Sequence, residues 1–300
     1  MSDTQLPDID LAFVSSAYRE FADDLRKVRK DQADLYDQYR THGSGGGFRS
    51  RLETPSRLVS PDARQWISNH IPLRVLIEAR RVSKAILPGR DLDPQSDDID
   101  CEIAYLLIRS VRPRTIVEIS PCGGWSTTWL LSGLRDANRG HLYSYDLIDD
   151  ALRTVPRSLA AERWTFVKGD IRKRESSIPT PIDYLFLDAE HSASFAGWYL
   201  ETLLPILSAD AIVTIDDIFH PELERAGETG ESKAVLSWLA DHGLPYFTAA
   251  PSANREAFDQ LVDLRQRLGL AGRIHSSTVN PAIYFRAPGS RSTLLPRVNS

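Results

Sequence analysis

Apolar segments and helical patterns alternate from Thr115 onward, and this alternation constrains the fold more than any other feature of the chain. A β-branched apolar run at 115–119 leads into two glycines and a helical stretch, and the same strand-then-helix order recurs along the rest of the sequence. Strands that alternate with helices form parallel sheets covered by helices on both faces. We therefore predict an α/β fold: a doubly wound, mostly parallel seven-stranded sheet with an N-terminal helical extension.

The pattern assigns each strand and helix of this fold to a segment of the chain. The predicted strands cover residues 115–119, 141–145, 164–167, 182–187, 211–215, 246–248 and 282–285. The predicted helices between them cover residues 125–137, 151–161, 194–207, 232–242 and 253–268.

The first hundred residues show the apolar spacing of helices and no strand pattern. The predicted helices of this part cover residues 11–40 and 60–85, and a third helix, over 99–110, precedes the first strand. The glycine-rich run 43–47 is unable to hold a helix and is interpreted as a joint. We predict a helical region over 1–96, which covers a site or builds a homodimer, and one α/β domain over 97–300.

Composition narrows the class of protein without revealing its chemistry. Among 300 residues there are 36 Lys and Arg against 41 Asp and Glu, a formal net charge of −5, which argues against nucleic acid as a partner. Cys101 and Cys122 are too few for a disulfide framework and are expected to be buried free thiols. The acidic start lacks secretory features, and no apolar segment is long enough to span a bilayer, so we expect a cytoplasmic protein without a membrane partner.

Acidic residues follow the predicted strands at the edge where parallel sheets bind ligands. These strand-end residues are Glu118, Asp146, Asp170, Asp188, Asp216 and Asp217. A single Asp after a strand is explained as a cap of the next helix or turn. Several strands that end in the same way, with a glycine turn after the first, favour a binding site at this edge.

The glycine turn distinguishes between two classes of ligand. A dinucleotide site needs the pattern G-x-G-x-x-G, whereas only Gly123 and Gly124 are present here. Glu118 at the strand end would repel a diphosphate and could pair with a cationic amino or sulfonium group. The turn therefore favours a cationic nucleoside over NAD, with a tight turn that binds no ligand as the alternative.

The segment from Val117-Glu118-Ile119 to Ser126-Thr127 resembles motif I of the class I S-adenosylmethionine-dependent methyltransferases, which have a Rossmann-like fold. More narrowly, residues 97–285 resemble the catechol and caffeoyl-CoA O-methyltransferases and the metal-dependent sugar O-methyltransferases of antibiotic biosynthesis. The resemblance implies S-adenosylmethionine as cofactor and a divalent cation, with Mg²⁺ expected. Ser120 departs from the family pattern, which usually has glycine there.

The resemblance assigns cofactor contacts to the strand ends. Gly124 would let the backbone approach the methionine end, and Ser126 would hydrogen-bond that end near the helix start. Asp146 would accept hydrogen bonds from the ribose hydroxyls, and Asp170 from the adenine amino group. Each has an alternative as a helix cap or a solvated turn. The full set of cofactor-binding candidates is Glu118, Ser120, Gly123, Gly124, Ser126, Asp146, Asp170 and Asp188.

Asp188, Asp216 and Asp217 resemble the metal ligands of this family. Three close carboxylates repel one another unless a cation neutralises them, and an all-oxygen set suits Mg²⁺, Mn²⁺ or Ca²⁺. Alternatively, Asp216 caps a loop and Asp217 is solvated.

Catalytic candidates are Asp188, His191 and His220. His191 stands at the place of the lysine base of catechol and caffeoyl-CoA O-methyltransferases, and its alternative role is to cap the following helix. His220 is the second candidate base. Trp125, Trp198 and Tyr199 could line a pocket, although such aromatic residues are more often core.

The expected activity is methyl transfer to a hydroxyl of a small molecule, such as a sugar, a nucleotide sugar or a phenolic natural product. The basic cluster of Arg80, Arg81 and Lys84 would favour an anionic acceptor if it faced the site, and otherwise forms a solvated face. Two alternatives remain: a cephalosporin-hydroxylase-like enzyme on the same fold, and a non-catalytic subunit that binds S-adenosylmethionine for a partner.

Overall fold

A computed structural model describes residues 7–42, 96–221, 230–272, 274 and 278–288. Its strands are β1 (Thr115–Ile119), β2 (His141–Asp146), β3 (Trp164–Lys168), β4 (Ile182–Leu187), β5 (Leu207–Ile215), β6 (Phe247–Thr248) and β7 (Ile283–Arg286). Its helices are α1 (Leu11–Glu20), α2 (Ala22–His42), α3 (Asp98–Val111), α4 (Trp125–Ala137), α5 (Ala151–Thr154), α6 (Arg157–Ala160), α7 (Ala193–Thr202), α8 (Gly230–Asp241) and α9 (Arg255–Arg267). The joint at 43–47, the helix expected from Ser60 and the basic cluster at 80–84 lie outside the described residues.

The seven strands form one sheet in the order β3-β2-β1-β4-β5-β7-β6. Strands β1 to β5 pair in parallel, whereas β7 runs antiparallel to both β5 and β6. The predicted doubly wound, mostly parallel sheet is confirmed, and its order starts from β1 and extends to both sides. The carboxyl ends of β1, β2, β4 and β5 therefore meet at one edge.

Two apolar cores lie on opposite faces of the sheet, because neighbouring residues of a strand point to opposite sides. Ile116 of β1 packs with α1 to α4 and α9 on one face, and Val117 packs with α7 and α8 on the other. Both faces of the central strands are thus buried, which explains their nearly continuous apolar sequences.

Several predicted boundaries differ from the structure. The single helix expected over 11–40 is two helices, α1 and α2, separated at Phe21. The helix expected over 151–161 is interrupted at Pro156, which has no N–H to donate and holds Val155 in an extended conformation. β5 begins at Leu207 rather than 211, where polar residues hide the strand pattern. Cys101 is buried as expected, whereas Cys122 is only partly buried.

A buried carboxylate joins the N-terminal helices to the rest of the fold. Glu102 of α3 is fully buried and accepts a hydrogen bond from the hydroxyl of Tyr18 on α1 at 2.7 Å. It also pairs with Arg29 of α2 and with Arg265 of α9. Four helices therefore meet at one side chain. The division of the chain at residue 96 stays a prediction.

None of the helices in the described ranges is long and apolar enough to cross a membrane.

Candidate active site

The turn between β1 and α4 has an unusual backbone. Ser120, Cys122 and Gly124 all have positive φ, at 66°, 50° and 85°. This region of conformational space favours glycine, because a Cβ crowds the backbone there. The strain at Ser120 gives a physical reason for the glycine that the family usually has at this place.

Gly124 is required by its surroundings as well as by its backbone. A Cβ added there would lie 2.7 Å from Cγ2 of Val155, so the turn and the segment after α5 fit together only around glycine. A Cβ added at Gly123 would meet nothing within 4 Å. The turn is thus closely packed on one side and open on the other, where a ligand could approach its backbone.

Glu118 lies near the end of β1, as expected, and makes its hydrogen bonds inside the protein. It is fully buried, and the hydroxyls of Ser126, Thr127 and Ser144 donate to its carboxylate at 2.5–2.9 Å. Burial raises its pKa, and these hydrogen bonds oppose the rise. Glu118 therefore holds the first turn of α4 through Ser126 and Thr127, and its pairing with a cationic ligand stays a prediction. Ser126, a candidate for binding the cofactor, donates its hydroxyl to Glu118.

Asp146 lies at the end of β2 and is almost completely buried. Its Oδ2 accepts a hydrogen bond from the backbone N–H of Cys122 at 2.8 Å, and its Oδ1 accepts one from Ile148 at 3.1 Å. Asp146 therefore ties the glycine turn to the neighbouring strand.

Asp170, which follows β3, accepts hydrogen bonds from Arg172. Oδ1 accepts from both the backbone N–H and Nε of Arg172 at 3.0 Å. The hydrogen bonds from the Arg172 guanidinium lower the pKa of Asp170. An adenine amino group at this carboxylate would have to share it with Arg172.

The ends of β4 and β5 bring together Asp188, His191 and Asp217, which we call the acid–histidine cluster. One ligand atom from each of these residues lies within 4.8 Å of the others. The cluster adjoins the glycine turn, because the backbone N–H of Asp188 donates to the carbonyl of Ile119 at 3.2 Å. The described residues thus place two of the three expected metal ligands side by side.

Asp216 differs from the expected arrangement. Its side chain is buried, and its Oδ1 accepts the backbone N–H of Asp217 at 2.9 Å. It lines a small cavity on the inner side of the sheet edge, together with Asp100 of α3. Burial, with the charges of Asp217, Asp188 and Asp100, holds the pKa of Asp216 well above its usual range. The structure does not group it with the acid–histidine cluster.

His191 lies between two carboxylates. Its Nε2 is 3.2 Å from Oδ2 of Asp217, and its Nδ1 is 2.8 Å from Oε2 of Glu231 at the start of α8. Burial lowers the pKa of His191, but the hydrogen bonds to Asp217 and Glu231 outweigh burial and hold the pKa well above its usual value. The cap alternative is wrong, since Ser192 caps α7 by accepting the N–H of Phe195.

Two acidic residues of the site were missed from the sequence. Glu231 stands in the first turn of a helix, where an acidic residue is typical for reasons of the helix dipole alone. Asp100 stands in the first turn of α3 for the same apparent reason, yet it is buried and accepts the Tyr284 hydroxyl at 2.7 Å. Burial and the nearby Asp97 raise the pKa of Asp100 to about 8.

The remaining candidates have less direct positions. His220 follows β5 and donates its backbone N–H to the carbonyl of Asp217 at 3.2 Å. Trp125 and Tyr199 are buried in the two cores, as the core interpretation expected. Trp198 stacks on Phe195.

Known proteins resemble this chain in part. Residues 117–218 match the model of a methyltransferase domain family. A search of curated proteins finds no match. Solved structures that resemble the chain include an O-methyltransferase from Bacillus cereus in complex with SAH, at 16% identity over 74% of this chain and 96% of that one, with a TM-score of 0.46. Another is TomG from Streptomyces achromogenes, an O-methyltransferase of tomaymycin synthesis in complex with SAM, at 17% identity over 75% and 95%, with a TM-score of 0.47.

The family match runs from β1 past the end of β5, so it contains the glycine turn, Asp146, Asp170 and the acid–histidine cluster. The sheet that carries these residues has five parallel strands in sequence and a final antiparallel strand beside β5. The part of the chain that matches the methyltransferase domain model is therefore the parallel part of the doubly wound sheet, together with the strand ends that carry these residues.

Proposed function

We propose that the protein transfers the methyl group of S-adenosylmethionine to a hydroxyl of a small molecule, with the help of a divalent cation. The observation that carries the proposal is the position of the acid–histidine cluster directly beside the glycine turn. A cation-binding group next to a cofactor turn can hold a hydroxyl oxygen in line with a methyl group. Sugars, nucleotide sugars and phenols are the acceptor classes expected from the sequence.

The cofactor would lie along the open side of the glycine turn. A Cβ at Gly123 would meet nothing on this side, and Asp146, at the end of β2, would accept hydrogen bonds from the ribose hydroxyls. Asp170 lies one strand further, where the adenine would end. The methionine, ribose and adenine parts of the cofactor would thus lie at the ends of β1, β2 and β3, which are neighbours in the sheet.

The cluster suits a divalent cation by its donor set. Asp188 and Asp217 supply carboxylate oxygens, the ligand type that Mg²⁺ and Mn²⁺ prefer. When bound, such a cation would lower the pKa of an acceptor hydroxyl and fix its oxygen. The S–CH₃ bond of the cofactor breaks as the O–CH₃ bond forms, and the hydroxyl proton leaves to a base or to water.

The candidate base is His191, with His220 as the second candidate. Glu231 holds Nδ1 of His191, so Nε2 is the ring atom that faces the cluster. That atom is placed either to accept a proton or to bind the cation.

Calorimetry with S-adenosylhomocysteine, with and without Mg²⁺ or Mn²⁺, tests the proposal. We expect binding of the cofactor product, and cation binding that is lost in Asp188→Ala and Asp217→Ala but kept in Asp259→Asn, an exposed carboxylate on α9. Absence of cofactor binding would contradict the proposal. If the cofactor product binds but no hydroxyl compound is methylated, the alternative of a non-catalytic, cofactor-binding subunit is favoured. If methyl transfer survives in both Ala variants, only the part of the proposal that invokes a cation is contradicted.

A further inference from the structure

The acid–histidine cluster contains an imidazole where a third carboxylate was expected. Ligand atoms of Asp188, His191 and Asp217 lie within 4.8 Å of one another. Ligands of one divalent cation at about 2.0–2.3 Å from the metal are themselves separated by roughly 3–4.5 Å. The three side chains therefore need only small adjustments to share one ion.

The ring of His191 is held from behind by a buried carboxylate. Glu231 is 4% exposed, and it accepts hydrogen bonds from Nδ1 of His191 at 2.8 Å and from the Tyr199 hydroxyl at 2.9 Å. Metal-binding histidines commonly donate their second ring N–H to a carboxylate, which fixes the tautomer and the ring orientation. Because Glu231 accepts the hydrogen bond from Nδ1, Nε2 is the ring nitrogen of His191 that faces Asp217 and Asp188.

The contact between His191 and Glu231 depends on the close approach of helices α7 and α8. A Cβ added at Gly230 would lie 2.5 Å from Cβ of Ala193, so only glycine lets the start of α8 lie against the start of α7. The next residue is Glu231, and His191 lies just before α7. The packing of the two helix starts thus brings the carboxylate to the imidazole.

We infer that His191 binds the divalent cation through Nε2, in the coordination place expected for Asp216, and that Glu231 and Tyr199 position the ring. The inference rests on the proposed function for the presence of a cation. It removes His191 from the role of base, because a coordinating nitrogen has no free lone pair. It also changes the expected metal: two carboxylates and one imidazole favour Mn²⁺ over Mg²⁺.

Mn²⁺ titration and pulsed EPR of the protein, with and without S-adenosylhomocysteine, test this inference. Bound Mn²⁺ is expected to show a ¹⁴N coupling from the imidazole, which His191→Ala abolishes. Glu231→Gln is expected to weaken Mn²⁺ binding by about 10- to 100-fold, the usual effect of losing an outer partner of a metal ligand. His191→Asp, which restores an all-oxygen set, is expected to keep Mg²⁺ binding and lose the preference for Mn²⁺.

Two variants control for charge and for histidine content. Glu175→Gln removes an exposed carboxylate that accepts the Trp198 N–H, and His141→Ala removes a histidine at the amino end of β2, away from the acidic strand ends. Both are expected to bind Mn²⁺ as the wild type does. The inference is overturned if Mn²⁺ binds without ¹⁴N coupling, if His191→Ala binds it with wild-type affinity, or if the wild type binds no cation. If the protein binds Mn²⁺ with ¹⁴N coupling but does not bind S-adenosylhomocysteine, the inference is supported and the proposed function is contradicted.

Discussion

The backbone N–H of Cys122 donates to the carboxylate of Asp146 at 2.8 Å, so one side chain holds the glycine turn and also stands where a ribose is expected. Asp146→Ala removes both contacts. We expect it to weaken S-adenosylhomocysteine binding by roughly 10- to 100-fold, since hydrogen bonds to a charged group contribute about 1.5–3 kcal/mol. Calorimetric titration measures the affinity, with Asp259→Asn as the control. Wild-type affinity in Asp146→Ala would show that Asp146 only shapes the turn.

Gly124 and Gly123 form a matched pair for testing the turn. Gly124→Ala is expected to lower the free energy of unfolding by about 1–3 kcal/mol, because the backbone has positive φ and the methyl group would contact Val155. Gly123→Ala meets open space, so we expect a change within about 1 kcal/mol. Chemical denaturation compares the two. Equal losses would contradict the close packing on one side of the turn.

Ser120→Gly tests whether the departure from the family pattern costs stability. Ser120 has a φ of 66°, and glycine adopts this conformation without a steric penalty. We expect a gain of about 1 kcal/mol in the free energy of unfolding, with cofactor affinity kept. A loss of stability would show that the Ser120 hydroxyl makes a contact that outweighs the strain.

The stability of the protein is expected to fall as the pH rises, in part through Asp100. Burial and the charge of Asp97 raise the pKa of Asp100 to about 8, against about 4 in the unfolded chain. The folded protein therefore keeps a proton that the unfolded chain releases between these values. The stabilising contribution is complete below about pH 4 and is lost as the pH rises through about 8.

Denaturation at pH 6 and pH 8.5, without added cofactor, measures this dependence. The midpoint is expected to fall less with pH in Asp100→Asn than in the wild type, because the amide does not ionise. The same fall in both proteins would mean that other groups cause it.

The strands could be predicted well because each has a strong apolar pattern between turn residues. The acidic strand ends followed from the topology of a parallel sheet, and Asp188 and Asp217 do lie together. The direction and burial of a side chain could not be predicted, since Glu118 and Asp216 are both buried although each stands at a strand end. Glu231 and Asp100 escaped notice because an acidic residue in the first turn of a helix has an ordinary explanation, and only the tertiary structure shows that they are buried.

The carboxylate of Glu102 has a consequence for how the protein opens. Because Tyr18 and Arg29 bind it in the interior beside Arg265, α1 and α2 separate from the fold only by breaking a buried hydrogen bond and a buried ion pair. Amide hydrogens of these two helices are therefore expected to exchange with solvent at the rate of global unfolding, together with those of α3 and α9. The described residues of α1 and α2 are thus expected to unfold together with the sheet, although neither helix contributes a strand to it.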